Sequence, residues 1–209
     1  MRRPLLSQLS LSLILVFHYA SGLILYPYKT MRKITAEKDY YQVGIIFACI
    51  YGYFILAAAV RQKTFQPLIL TSSAFLSFIF FLGTFFLVVS FFYVLSTIFK
   101  NKINISALIF SFAYSLLPTF FWFLVTSLLY YFIPPPRTFS VGGKSFSIFF
   151  TIFSLSLLSL RIILYYLSLR FSLKLGFYTI VLFTFIFSLW FLPYSYFMYQ
   201  LKIFRIPFI

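Results

Sequence analysis

Apolar stretches too long for a soluble core alternate along the chain with short polar breaks, and the stretches set the elements. A helix needs about 20 apolar residues to cross a hydrocarbon core of about 30 Å, whereas a closed barrel would show alternating segments of about ten. The runs are continuous rather than alternating, and they predict membrane-crossing helices over about 42–60, 67–99, 103–133, 146–168 and 175–199. Bases bound them: Arg61 and Lys63, Lys100 and Lys102, Arg137 and Lys144, Arg170 and Lys174, then Lys202 and Arg205. The runs 67–99 and 103–133 exceed one span yet fall short of the roughly 40 residues two would need, so each reads as one tilted or kinked helix. Pro118, near the middle of the second, deletes a backbone hydrogen bond and predicts a bend.

The chain therefore divides into an apolar N-terminal segment (1–26), a basic stretch (27–41), a five-helix membrane domain (42–199) and a short basic tail (200–209). Residues 4–26 read either as an entry segment or as a sixth span. Arg2, Arg3, an apolar core and the small residues at 20–22 also imitate a signal peptide. If residues 4–26 cross, the Lys and Arg outside the spans, all but Arg161, divide eight to each side and leave orientation unspecified. If they do not, one side carries Arg2, Arg3, Lys29, Arg32, Lys33, Lys38, Lys100, Lys102, Arg170 and Lys174, ten bases against six. The excess of bases on the cytoplasmic side of membrane proteins then favours five spans with residues 27–41 cytoplasmic.

Composition changes the picture by fixing the solvent. At 63% hydrophobic, 25% aromatic and 9% charged, the 209 residues have too little polar surface to cover a soluble globule. The fold class expected is all-α, a polytopic transmembrane helix bundle. A net charge of +15 raises nucleic acid as a partner, but the bases come in ones and twos between apolar runs and form no face that could follow a phosphate backbone. Anionic lipid headgroups suit such short basic loops.

Candidate chemistry is sparse. Cys49 and His18 are each alone, which excludes an intramolecular disulfide, a CxxC site and any site built on two histidines, so no metal or cofactor is expected. Gly44, Ala48 and Gly52 recur every four residues, as do Ala107, Ser111 and Ser115. Each set falls on one helix face and, with Pro118, is expected to mark helix packing, within the chain first and in a homo-oligomer or with a protein partner second. The segment 140–147, Ser-Val-Gly-Gly-Lys-Ser-Phe-Ser, contains Gly-Gly-Lys-Ser, but a phosphate-cradling loop needs a glycine where Thr138 stands. A polar connector stiffened by Pro134, Pro135 and Pro136 is the better reading. Arg161 lies well inside a span; snorkelling toward the interface of Arg170 is preferred over headgroup contact or a translocation role. With no Asp, Glu or His inside the five spans, catalysis and cation-coupled transport lack their usual carriers, and a non-enzymatic protein is expected.

The stretch Tyr26–Tyr41 holds Glu37 and Asp39, the only two carboxylate side chains, beside Lys29, Arg32, Lys33 and Lys38. With Tyr26, Tyr28 and Met31 it reads as a short helix along the headgroups, apolar groups inward and bases wet. Lys29, Arg32, Lys33, Arg170 and Lys174 are the candidate headgroup contacts, and Glu37 is placed for local pairing with Lys33 or Arg32.

Taken in order, Pro27, Lys29, Thr30, Met31, Arg32, Lys33 and Ile34, then Ala113, Tyr114, Ser115 and Pro118, then more loosely Leu167–Phe177, resemble the bacterial type of the Yip family, five-span proteins named for interaction with Rab-type GTPases. The resemblance spans residues 24 to about 199 and implies five membrane helices and a role in membrane organisation or trafficking. The acidic signature that eukaryotic members carry before the first span is absent from residues 27–41. The functional expectation is a membrane scaffold or partner-binding module, in a bacterial inner membrane; the alternative is a membrane subunit of a transporter or larger complex.

Overall fold

The computed structural model describes residues 5–37, 39–61, 67–99, 104–132 and 141–201. Among them every regular element is a helix: α1 (Leu5–Leu25), α2 (Pro27–Ile34), α3 (Tyr41–Arg61), α4 (Pro67–Ile98), α5 (Ile105–Ser115), α6 (Leu117–Phe132), α7 (Val141–Ser172) and α8 (Phe177–Gln200). Six stretches are long and apolar enough to cross a membrane: Ser7–Leu25, Tyr41–Val60, Ser72–Ile98, Ile105–Leu129 through the α5–α6 break, Gly143–Ser172 and Phe177–Gln200. The chain is thus an all-α helical bundle and an integral, multi-pass membrane protein. Arg2, Arg3, Lys38, Lys63, Lys100, Lys102, Arg137, Lys202, Arg205 and the three prolines at 134–136 lie outside the described residues.

Helix direction alternates from α3 onward. The Tyr40 hydroxyl, before α3, meets Ser106 in the first turn of α5 at 2.6 Å. Phe99, after α4, packs on Phe183 of α8, and Tyr166 of α7 packs on Phe177 at the start of α8. The starts of α3, α5 and α8 and the ends of α4 and α7 therefore share one end of the bundle. At that end α2 seats on α7, with the Tyr28 ring edge-on to Phe171 at 4.9 Å between centroids.

The core is aromatic. Phe92 of α4 is fully buried and touches the rings of Phe112, Tyr165 and Phe187, so one side chain joins α4, α5, α7 and α8. Two to three turns earlier on the same face of α4, Phe47 of α3 packs edge-on against Phe81 and Phe85. Hydroxyls inside helices donate one turn back, as Ser77 does to Ser73, Thr97 to Tyr93 and Ser188 to Thr184, which hides their polarity without a partner helix.

The long run around Pro118 is two helices. Proline has no N–H to donate and its ring crowds the preceding turn, so α5 stops at Ser115, Leu116 makes the turn, and α6 resumes with Pro118 in its first turn. At the other end of α5, Asn104 caps the helix by accepting from the Ala107 amide at 3.3 Å. Pro193 leaves α8 unbroken. Lys174 reverses the chain between α7 and α8 with φ 53°, a left-handed conformation, exposed while Leu173 and Leu175 on either side are buried.

Two expectations are corrected. Val141–Ser147 is not a polar connector but the first turns of α7, and helical backbone directs its amides along the axis, so no loop encircles a phosphate there. Gly44, Ala48 and Gly52 do not pack against helices of this chain: all three are exposed, and a side chain added at Gly44 or Gly52 would meet open space. The reason is rotational. α3 turns Val43, Ile46 and Ile50 inward, and the small residues follow on the opposite face.

The glycine that permits close approach is Gly22 of α1, where an added Cβ would lie 2.7 Å from Thr30 Oγ1 of α2. Thr30 is buried and stiff at χ1, so it cannot swing clear cheaply. Gly22→Ala is expected to destabilise by about 1–3 kcal/mol through overpacking, whereas Gly44→Ala is expected to be neutral or stabilising; paired thermal melts in one detergent check the difference in sign.

Candidate functional site

Both carboxylates are half-buried in one polar cluster where α1, the α2–α3 link, α3 and α5 meet. The Ser12 hydroxyl of α1 donates to Asp39 Oδ2, and Gln42 Nε2 reaches the same oxygen at 3.4 Å. Asp39 Oδ1 accepts from the Tyr41 amide at 3.2 Å, which places its negative charge on the N-terminal turn of α3. The Tyr19 hydroxyl donates to Glu37 Oε2 at 3.0 Å. From α5 the Tyr114 hydroxyl donates to Gln42 Oε1 at 2.6 Å, and its ring stands edge-on to Tyr19. Gln42 and Tyr114 are fully buried, so neither can turn to water.

Glu37 is also reached from 18 residues back in the chain, through the Tyr19 hydroxyl. Over its C-terminal two thirds α1 meets residues 30–39 and Tyr114 through Ser12, Tyr19 and Gly22. Chemically the cluster is a set of matched donors and acceptors that fasten α1 to the bundle entrance. His18 is exposed on α1, its ring beside that of Tyr19.

The five candidate headgroup bases are brought to one end. Within α2, Thr30, Met31 and Ile34 are buried and Lys29, Arg32 and Lys33 are exposed, the segregation expected of an interfacial helix. Pro27 fits the first turn of α2, where its missing N–H costs nothing. Because Tyr28 packs on Phe171, these bases stand near Arg170 and Lys174, both exposed. Arg170 is steadied by the Tyr166 hydroxyl at 2.9 Å and lies over that ring.

Ala107, Ser111 and Ser115 are buried, as the packing reading requires, and the partner helix is α7: Ser168 donates to the Ser111 carbonyl at 3.1 Å. Pro118 is buried beside them. Arg161 of α7 points to this same seam and does not snorkel. Its Nη1 donates to the Ser115 carbonyl, with the Ser115 hydroxyl at 3.4 Å. The last carbonyls of any helix lack an intrahelical donor and carry the negative end of the dipole, so the break at Pro118 creates the acceptor that holds this cation.

No protein-family model, curated protein or solved structure matches this chain.

Ser12, Tyr19, Gln42 and Tyr114 were not singled out by their spacing. Tyr114 stood out only as part of the Ala113–Pro118 resemblance, and for the other three the signal was indirect: two carboxylates in an apolar chain must find donors, and hydroxyls on neighbouring helices are the supply. Tyr114→Phe leaves the buried Gln42 carbonyl oxygen unpaired and is expected to cost about 1–3 kcal/mol. A double-mutant cycle of Ser12→Ala and Asp39→Asn is expected to show coupling of about 0.5–3 kcal/mol; additive melts would mean that the two do not bond.

Proposed function

We propose that this chain is a membrane scaffold or partner-binding module that grips anionic lipid at the end of the bundle carrying α2. The observation that carries the reading is the seating of α2 on α7, which gathers Lys29, Arg32, Lys33, Arg170 and Lys174 as exposed bases around a buried apolar underside. Each Lys or Arg near an anionic surface contributes about 1 kcal/mol, so a set of five suffices for selective retention of such lipids. The Glu37 and Asp39 cluster supports a fastening role for the interior polar groups, because the hydroxyls that meet the carboxylates come from helices they hold in place.

The reading is in keeping with the membrane role that the Yip resemblance implies; with Ser7–Leu25 lying along the interface rather than crossing, the excess of bases puts residues 27–41 on the cytoplasmic face of a bacterial inner membrane. The open face of Gly44, Ala48 and Gly52 then remains for a neighbouring helix of a second copy or a protein partner within the bilayer.

Reversing Lys29, Arg32 and Lys33 to Glu tests the grip. In nanodiscs the parent is expected to melt higher in phosphatidylglycerol–phosphatidylcholine than in phosphatidylcholine alone, and the reversed protein is expected to lose that difference. The same lipid dependence in both proteins would overturn the reading.

A further inference from the structure

Arg161 is engaged through Nη1 alone. Its Nε and Nη2 have no acceptor among the described residues and are not sealed from their surroundings. The residue lines a cleft of about 260 Å³ between α6 and α7, together with Pro118, Trp122, Phe123, Leu157 and Leu158. Leu158 is 54% exposed, so the cleft opens on the lipid-facing side. Trp122 is held in the wall by its Nε1, which donates to Ser154 at 2.9 Å. Arg161 lies 11 residues before the end of α7, or roughly 16 Å along the axis, a depth at which a cation needs an anion or a dipole. The chain's only two carboxylate side chains are committed to the Ser12 and Tyr19 hydroxyls at the entrance.

We propose that this cleft binds a single-chain carboxylate amphiphile of the long-chain fatty acid class. The carboxylate pairs with the Nε–Nη2 edge of Arg161, and the chain lies along Trp122, Phe123, Leu157 and Leu158. The guanidinium offers two parallel N–H groups on that edge, the arrangement that a carboxylate fork matches. The cavity is just below the size of pockets that enclose a whole drug-sized ligand, so it takes the head and the first part of the chain while the remainder runs into the bilayer. A phospholipid would have to carry its glycerol backbone to the same depth, which the apolar walls disfavour.

The chain carries two tryptophans, Trp122 and Trp190. With Trp190→Phe as background in phosphatidylcholine nanodiscs, emission reports the cleft alone. Palmitate brominated along its chain is expected to quench Trp122 saturably, at about tenfold lower concentration than its brominated methyl ester, which has no charge to pair. Arg161→Gln is expected to abolish that preference. Leu157→Phe, which leaves Arg161 in place and fills the cleft, is expected to weaken palmitate quenching about tenfold and decides the matter if Arg161→Gln does not fold. Equal quenching by acid and ester, undiminished quenching in Leu157→Phe, or saturable quenching by chain-brominated phosphatidylglycerol at the same concentration as palmitate would each overturn the assignment. Trp122 lies away from the basic end, so the result is independent of whether α2 grips headgroups.

Discussion

A polar group in a lipid-exposed bundle has no water to turn to, and that constraint decides how these helices face one another. Apolar surface supplies little direction, because lipid tails accept a phenylalanine as readily as a neighbouring helix does. α4 is apolar on every side, and packing of its many rings would tolerate several rotations. The hydroxyl pair of Thr84 and Tyr194 at 2.7 Å, the Trp122–Ser154 bond and the Tyr114–Gln42 bond each remove that freedom for one pair of helices. Each such bond contributes only about 0.6 kcal/mol net in a membrane. A wrong rotation would strand both partners in hydrocarbon, and that penalty is what selects the arrangement.

The break between α5 and α6 follows the same logic in reverse. A continuous helix through residues 115–119 would commit the Ser115 carbonyl to the Thr119 amide and leave Arg161 facing apolar side chains. With the helix interrupted at Leu116, the carbonyl and the dipole end are released at the place where the cation arrives. Two features that are costly alone, an intramembrane arginine and a broken helix, offset each other.

What could be read from the sequence follows from these physics. The spans were legible because a bilayer demands a minimum apolar length, and α2 was legible as a short helix with Lys29, Arg32 and Lys33 outward and Met31 inward, although Thr30 and Ile34 fill its buried side and Tyr26 and Tyr28 are exposed. The bend near Pro118 was legible from the missing N–H. Which face of α3 turns inward was not: a helix apolar on all sides gives no amphipathic signal, so Gly44 and Gly52 looked like packing positions while the close approach falls at Gly22. The carboxylate cluster was not legible either, since the two ends of the Tyr114–Gln42 bond are 72 residues apart. Arg161 was misread because snorkelling considers only the residue's own helix, and the acceptor that holds it belongs to another.

The last turn of α5 is where the acidic and basic halves of this structure meet. Tyr114 reaches Gln42, which shares the Asp39 carboxylate with Ser12; the next residue, Ser115, receives Arg161. Asp39 rests on the N-terminal turn of α3 and Arg161 on the C-terminal turn of α5, so helix ends of opposite sign hold the two charges. Helix ends are fixed in direction as well as in place, unlike a flexible partner side chain. Holding both charges this way ties the depth of α5 to α3 on one side and to α7 on the other, and it leaves the second edge of the guanidinium open beside the cleft. One turn therefore sets both the fastening of α1 at the entrance and the polarity available to a ligand between α6 and α7.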